Sequence, residues 1–113
     1  VFNYIPTFIA TNSSEALTNT STAVSVSTAI STVDSSGGAV TVTLAAGVTG
    51  QLKTIICTTA GNNITVTPAA TVGSGTTVVL DAAGESVQLL YTGTAWAAVA
   101  TSSFATNIAT VIQ

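Results

Sequence analysis

The chain has very few groups that can carry a charge. Its 113 residues include four acidic residues, one basic residue, no His and no Met. The charged side chains are those of Glu15, Asp34, Lys53, Asp81 and Glu85. Catalysis needs groups that transfer protons or stabilise developing charge. A sequence so poor in such groups predicts a structural or binding protein, and we expect no enzymatic activity.

The scarcity of cations and of cysteine excludes further classes of function. A single Lys cannot neutralise a row of phosphates, so nucleic acid is not an expected partner. Without His and with one Cys, neither a metal site nor a cofactor is expected. Cys57 follows Ile55 and Ile56 and predicts a buried thiol, because no His is available to activate it as a nucleophile. One free thiol and no disulfide partner favour assembly in a reducing cytoplasm.

Long apolar runs are missing as well. The chain is 47% hydrophobic with a mean hydropathy of +0.67, yet no stretch reaches the roughly 18 apolar residues of a spanning helix. The apolar run over residues 1–10 is interrupted by Asn3 and Pro6 and has no basic flank of the signal-peptide kind. We therefore expect no membrane partner. A net charge of only −3 predicts instead a surface partly covered by other copies of the chain.

Alternation of apolar and hydroxyl side chains dominates the rest of the sequence. Val40-Thr41-Val42-Thr43-Leu44 is one such segment, and about a third of all residues are Ser or Thr, far above ordinary usage. This period of two is typical of half-buried strands, and Gly, Asn and Asp mark turns between them. We predict strands near 24–33, 39–45, 51–58, 63–67, 76–81, 86–91, 95–100 and 104–111. The prediction is an all-β fold, a small antiparallel β-sandwich or barrel.

The first residues differ from this body. We assign 1–22 to an extended N-terminal arm and 23–113 to the β-sandwich domain. A short helix capped by Asn12 or Ser13 is the alternative for the end of the arm. An apolar arm outside the core either docks onto another protein or covers one end of the sandwich. The residues that would dock onto a capsid or a neighbouring subunit are Phe2, Tyr4, Ile5 and Phe8.

An internal repeat is suggested by two similar segments. An alternating strand leads into Ala45-Ala46-Gly47 and then Gln51-Leu52, and a second leads into Ala82-Ala83-Gly84 and then Gln88-Leu89. The two Gln residues lie 37 positions apart. Each copy predicts the order strand, loop, strand, turn, strand, and two such units could pack their apolar faces together.

The acidic residues offer a weak candidate for chemistry. Asp81 and Glu85 form the closest acidic pair and flank a turn. A catalytic carboxylate pair also needs a cleft and one raised pKa, and a calcium site would need more oxygen ligands, for example from Asp34 and loop carbonyls. The simpler interpretation is a solvated turn. Lys53 would either pair with a carboxylate or stand alone as a surface charge on a strand.

The aromatic residues offer a candidate binding surface. Trp96 and Tyr91 flank a turn at Gly93. Exposed aromatic rings can stack on sugars, so together with Asn62 and Asn63 they could contact a glycan. The alternative, which we favour, is that Trp96 fills the core between two sheets of small residues.

The segment around these aromatic residues carries a family resemblance. Residues 84–96 read Gly-Glu-Ser-Val-Gln-Leu-Leu-Tyr-Thr-Gly-Thr-Ala-Trp. The pattern Gly-x-Ser-Val-x-Leu-x-Tyr-x-Gly-x-x-Trp resembles a hairpin of bacteriophage virion proteins, especially tail-fibre domains and small capsid-decoration proteins. With the strand and bend upstream, the resemblance covers roughly residues 51–100. It implies a structural β domain of the virion that assembles as a homotrimer.

These observations lead to one expected function and two alternatives. We expect a virion structural protein, assembled in the host cytoplasm, that binds the phage capsid or other virion proteins and stabilises the shell as a decoration protein. If Val1 follows a removed initiator Met, the chain is too short for a fibre shaft, which favours decoration. The first alternative is a fibre or spike tip that recognises host-surface glycans. The second is a coat subunit that assembles by itself.

Overall fold

The structure, a computed structural model, describes residues 13–102, and within this range all regular secondary structure is β. The prediction of an all-β chain is confirmed. The strands are β1 (Ser14–Leu17), β2 (Ala23–Val24), β3 (Ile30–Asp34), β4 (Val40–Leu44), β5 (Leu52–Thr59), β6 (Ile64–Pro68), β7 (Val78–Leu80), β8 (Ser86–Tyr91) and β9 (Trp96–Ser102).

The strands form two mixed sheets. The five-stranded sheet has the order β1-β3-β5-β8-β9, and the four-stranded sheet has the order β2-β4-β6-β7. In both sheets the early strands run parallel, whereas β8, β9 and β7 join by antiparallel pairing. The expected antiparallel arrangement is therefore wrong for the four pairs β1–β3, β2–β4, β3–β5 and β4–β6.

The parallel pairing arises because successive strands alternate between the sheets. From β1 to β6 the chain crosses to the other sheet after every strand, so each strand pairs with the one that lies two elements away. Short connections are typical of hairpins within one sheet, but here they cross between sheets. One circuit, consisting of a strand in each sheet and its two connections, is called a coil below.

The coil of β3 and β4 is followed by the coil of β5 and β6 at an offset of 24 residues, whereas β1 pairs with β3 at an offset of 16 and β2 with β4 at an offset of 20. Ile30 pairs with Thr54, and Val40 pairs with Ile64, each 24 positions further along the chain. The connections between the strands stack as well. The Ser35 hydroxyl donates to the Asn62 carbonyl oxygen at 2.7 Å, and the Asn62 side-chain amide donates to the Ser35 carbonyl oxygen at 2.9 Å. Stacking of both strands and turns makes these two coils similar.

The two sheets share one hydrophobic core. Alternate residues point inward, as in β4, where Val40, Val42 and Leu44 are buried while Thr41 and Thr43 are exposed. Buried residues of both sheets belong to a single cluster dominated by Val, Leu and Ile, with Trp96 its largest member. The period of two in the sequence therefore identifies the core positions correctly.

Most predicted strands lie within a few residues of their observed positions. The segment predicted as one strand over 24–33 is divided into β2 and β3 by a bend at residues 25–29. Residues 14–17, assigned to the arm, form β1 and pair with β3, so the folded body begins inside the predicted arm. Residues 1–12 of the predicted arm and the predicted strand over 104–111 lie outside the described residues.

The 37-residue repeat has a limited structural counterpart. Each copy contains a strand of the four-stranded sheet followed by a strand of the five-stranded sheet, namely β4 then β5 and β7 then β8. However, β5 and β8 pair antiparallel, with Thr54 opposite Gln88. Because the two copies run in opposite directions, Gln51 and Gln88 do not occupy equivalent positions. The offset that relates β3 to β5 and β4 to β6 is 24.

Candidate functional site

The candidate site is centred on the buried ammonium group of Lys53. Lys53, on β5, has 0% of its surface exposed. Its Nζ donates to the carbonyl oxygen of Thr28 at 2.8 Å and lies 2.7 Å from Thr28 Oγ1. Thr28 belongs to the bend at residues 25–29, so the ammonium group holds this bend against β5.

Glu15 supplies the balancing charge from β1. Its Oε2 lies 3.9 Å from Lys53 Nζ and accepts hydrogen bonds from the Ser25 backbone N–H, at 2.8 Å, and from the Ser31 hydroxyl. Ser31 lies on β3, between the strands that carry the two charges. The pair therefore joins three neighbouring strands and the bend. Lys53 thus pairs with a carboxylate, as one of the two interpretations predicted.

The environment acts on the pKa of Lys53 in two directions. Burial lowers the pKa of the amine from its ordinary value of 10.5, and the nearby Glu15 carboxylate partly opposes this effect. A buried charge is tolerated only when it is paired and hydrogen-bonded. Since the amine is enclosed, donates to Thr28 and has the Glu15 carboxylate 3.9 Å away, it meets both conditions and stabilises the bend against β5.

The bend has further side-chain anchors. Gln51 Nε2 donates to the Val26 carbonyl oxygen at 2.6 Å, and Gln51 Oε1 accepts from the Val48 N–H at 2.9 Å. The Ser13 hydroxyl donates to the Ser27 carbonyl oxygen at 3.2 Å. The Ser- and Thr-rich segment between β2 and β3 is thus fixed by side chains that come from two other parts of the chain.

The aromatic candidates lie inside the core. Trp96 is 1% exposed and Tyr91 is 8% exposed, and their rings meet edge to face with centroids 5.1 Å apart. The indole Nε1–H donates to the Ala45 carbonyl oxygen at 2.9 Å, which ties β9 to the connection that follows β4. The core interpretation of Trp96 agrees with this burial. Neither ring presents an open face on which a sugar could stack.

The other two predicted glycan contacts lie at the opposite end of the strands from the turn between the two aromatic residues. Asn62 and Asn63 lie in the exposed connection between β5 and β6, at the opposite end of the strands from the turn that Trp96 follows. The Asn62 amide already donates to the Ser35 carbonyl oxygen. The structure therefore does not bring the four predicted glycan residues together.

The remaining acidic residues organise turns. Asp34 Oδ1 accepts from the Ser36 hydroxyl at 2.6 Å and from the Ser36 N–H at 2.8 Å. Glu85 Oε1 accepts from the Asp81 N–H at 2.7 Å and from the Ala82 N–H at 3.2 Å. Within residues 13–102 no group of three or more potential metal ligands occurs. These contacts correspond to the solvated-turn interpretation of the acidic pair.

We expect acid to weaken the fold through these turns. The Ser36 hydroxyl lowers the pKa of Asp34 from 3.8, and the Asp81 N–H lowers the pKa of Glu85 from 4.5. Because both pKa values are lowered in the folded state, the carboxylates contribute stability above these ordinary values, and it is lost as pH falls through the folded pKa values. Urea unfolding between pH 6 and 2 should therefore show a falling midpoint below about pH 4.

The matched variant for this prediction carries Asp34→Asn and Glu85→Gln together. It should unfold at a lower urea concentration than the natural chain at pH 6 and show a flatter dependence on pH. An unchanged slope in this variant would show that the turns do not supply the acid sensitivity.

The exposed charges are confined to one end of the domain. Asp34 ends β3, and Asp81 and Glu85 lie in the connection before β8, which begins at the end of the sheet where β3 and β5 finish. We call this the acidic end. The opposite end, called the neutral end, consists of four connections without any charged residue: 25–29, 45–51, 69–77 and 92–95.

Comparison with known proteins adds no family assignment. No model of a known protein family matches the chain, and no curated protein matches it. In the described part of the chain, no helix is long and apolar enough to cross a membrane.

The buried charge pair is the feature that sequence reasoning did not locate. A signal was present, because Lys53 has the same parity as Ile55 and Cys57 along β5, and all three are buried. Alternation in a strand places such residues on one face. The partner was harder to find, since Glu15 lies on a strand that the sequence assigned to the arm.

Proposed function

We propose that this chain is a virion structural protein that assembles as an oligomer, most simply a trimer, and decorates a phage capsid. In this proposal its two sheets form the sandwich and its outer surfaces contact other copies or the shell. The observation that carries the proposal is the distribution of charge. The one cation is buried with Glu15, and the other acidic groups are gathered at the acidic end.

The neutral end supports an assembly surface. It contains the two most exposed large hydrophobic side chains of the described chain, Val48 at 72% and Val72 at 58%. Both lie among small and hydroxyl-bearing residues with no charge nearby in sequence. Depletion of charge and exposure of apolar side chains are typical of the central part of protein interfaces. We infer that Val48 and Val72 lie in a contact between subunits or with the shell.

The outer face of the five-stranded sheet is the second supporting surface. Ile30, Leu52, Ile56 and Leu90 point away from the core on this face, with Leu52 directly opposite Leu90. Their neighbours on the face include Thr54 and other uncharged polar residues. Among the described strand residues of this face the one charge is that of Asp34, at the end of β3, so the face offers little electrostatic repulsion to an identical copy.

The role of the apolar arm remains part of the proposal. Phe2, Tyr4, Ile5 and Phe8 would anchor the oligomer to the shell or to a neighbouring subunit. These residues precede the described range, so their contribution is argued from their composition and not from contacts. The glycan-binding alternative has less support, because its aromatic residues are buried.

The oligomer is tested by sedimentation velocity of the purified chain at about 1–50 µM. We expect the natural chain to sediment as an oligomer. Val48→Lys combined with Val72→Lys should convert this oligomer to monomer, because two cations would be buried in the contact. Asn63→Lys, an exposed substitution at the acidic end, is the matched control and should leave the assembly intact. A natural chain that stays monomeric across this range would contradict the oligomer.

The virion role needs a separate test. In this test, particles of the phage whose genome encodes the chain are labelled with an antibody raised against the purified protein. Electron microscopy should then show the label over the capsid. Particles assembled without the chain should lose capsid contents at a lower temperature or salt concentration than complete particles. Label restricted to the tail, or no label, would contradict decoration even if the chain is an oligomer.

A further inference from the structure

The two ends of the domain differ in charge and in exposed apolar side chains. The acidic end carries the carboxylates of Asp34, Asp81 and Glu85, whereas the connections of the neutral end carry no charged residue. The neutral end also holds Val48 and Val72, which are the most exposed large hydrophobic residues of the described chain. A partner would therefore meet a different chemistry at each end of the strands.

The ion pair beneath the neutral end leaves no net charge there. Lys53 and Glu15 lie 3.9 Å apart, and the Lys53 ammonium group donates to the Thr28 carbonyl oxygen in the bend at residues 25–29. The amine is fully buried, and the carboxylate beside it has the opposite charge. A partner that docks on this end therefore does not desolvate an uncompensated charge.

Hydrogen bonds join the connections of the neutral end into one surface. Gln51 bridges the first two connections, because its side chain donates to the Val26 carbonyl oxygen and accepts from the Val48 N–H. The Val72 N–H donates at 3.0 Å to the carbonyl oxygen of Trp96, which directly follows the fourth connection. The Trp96 indole also donates to the connection that carries Val48. Because both exposed Val residues are held in place, little conformational entropy is lost when they meet a partner.

The chain enters the described domain at the same end. Ser13 is the first described residue, and its carbonyl oxygen accepts from the Ala29 N–H at 3.0 Å and from the Ile30 N–H at 3.2 Å. Its hydroxyl donates to the Ser27 carbonyl oxygen in the bend. The apolar arm of the proposed function is therefore attached to the neutral end.

Symmetry would gather like ends of the copies on one face of the oligomer. The copies of a closed trimer are related by rotation about a single axis, so they share one direction along it. With the strands along this axis, one face consists of neutral ends and the other of acidic ends. Docking by the acidic face would remove solvent from three carboxylates in every copy, which is costly unless each finds a cation. Docking by the neutral face has no such cost.

We propose that the neutral ends form the face of the oligomer that docks onto an uncharged, apolar part of the capsid surface, with the acidic ends directed outwards into solvent. This inference rests on the proposed decoration function and adds the orientation of the chain on the shell. The neutral end serves contacts between copies as well as contact with the shell, because copies that share one direction bring their neutral ends side by side.

Thiol labelling on phage particles tests the orientation. Ser74→Cys and Thr94→Cys each place an exposed thiol on a connection of the neutral end, and Ala83→Cys places one in the turn of the acidic end. All three variants should react with a maleimide as free oligomers. When they are added to particles assembled without the chain, the first two should react at least about tenfold more slowly, as expected for side chains enclosed in an interface. The rate for Ala83→Cys should not change. The natural chain, with only the buried Cys57, is the background control.

The outcomes separate the orientation from the decoration function. If the variants bind the particles and only Ala83→Cys becomes protected, the acidic end faces the shell, and the inference is wrong although decoration stands. Equal protection at all three positions would also overturn it. If Ser74→Cys and Thr94→Cys are already unreactive in the free oligomer, other copies cover the neutral face and the shell is not its partner. If neither the variants nor the natural chain bind the particles, decoration fails and the orientation fails with it.

The salt dependence of binding provides a measurement without added cysteines. Affinity for the particles should change less than about twofold between about 50 and 500 mM NaCl, because salt screens charges and the neutral face has none. Ser74→Lys would place a cation in the contact and should weaken binding at least about tenfold. Ala83→Lys, at the acidic end, is the matched control and should leave binding unchanged. A steep loss of binding by the natural chain in salt would contradict the inference, because it would indicate pairing of the acidic end with cations of the shell.

Discussion

Glu15→Gln should lower the free energy of unfolding by about 2–3 kcal/mol, because it leaves the buried Lys53 ammonium without its balancing charge. The Lys53 Nζ would keep its hydrogen bonds to Thr28, so the bend at residues 25–29 should remain close to its position. The measurement is urea unfolding at pH 7 and one fixed protein concentration, since assembly would make the stability depend on concentration.

A double variant separates loss of charge balance from loss of packing. Glu15→Gln combined with Lys53→Met removes both charges while keeping an unbranched side chain at position 53. It should recover much of the stability, because replacing a whole buried ion pair by neutral groups is often close to neutral. Asp34→Asn changes an exposed carboxylate and should have a smaller effect. A Glu15→Gln variant as stable as the natural chain would show that Glu15 does not compensate the amine.

Glu15→Gln alone should also change how the free energy of unfolding depends on pH in the alkaline range. Burial lowers the pKa of Lys53 in the folded state below 10.5, so between the folded pKa and 10.5 the unfolded chain binds more protons and stability rises with pH. Removing the Glu15 charge lowers the folded pKa further and widens this range. The rise in unfolding midpoint towards pH 10 should therefore be larger in Glu15→Gln than in the natural chain.

Trp96→Ala should cost about 3–5 kcal/mol, which is the usual loss when a buried Trp leaves a cavity in the core. The indole is the largest side chain in the shared core, packs against Tyr91 and bonds to the Ala45 carbonyl oxygen. Gly47 also lies against this ring, since a Cβ there would meet Trp96 Cζ2 at 2.8 Å. Loss of the ring removes packing from both sheets at once.

Two milder substitutions serve as comparisons for Trp96→Ala. Trp96→Phe keeps an aromatic ring but loses the N–H donor and part of the volume, and should cost about 1–2 kcal/mol. Val99→Ala changes an exposed residue of the same strand and should stay within about 0.5 kcal/mol of the natural chain. If Trp96→Ala were as mild as Val99→Ala, the ring would not be part of the core.

The sequence was sufficient to predict strand positions and core faces. Segments such as Val40–Leu44 and Ile64–Pro68 alternate strictly, and one face of such a strand must leave water. Pairing could not be predicted in the same way. A connection such as residues 60–63 fits either a hairpin or a crossing to the other sheet, and alternation is the same for parallel and antiparallel neighbours.

A shorter repeat in the sequence corresponds to the parallel pairing. Gly37, the Thr41-Val42-Thr43 segment and Ala45-Ala46 recur 24 positions later as Gly61, Thr65-Val66-Thr67 and Ala69-Ala70. The candidate site was less predictable, because the pairing of Glu15 with Lys53 depends on β1 lying two strands from β5, a long-range contact that no local pattern encodes.

The shared offset of 24 residues between β3 and β5 and between β4 and β6 also makes the fold extensible. A duplication of one 24-residue segment, such as residues 30–53, would add a strand to each sheet and lengthen the stack by about 4.8 Å, the spacing of neighbouring strands. Each inserted strand would pair with a strand of the same sequence, because every new residue would lie beside the same residue type in the neighbouring coil. The duplicated segment would also carry a second copy of Lys53, which would be buried away from Glu15, so a longer domain of this kind would need an uncharged residue at that position.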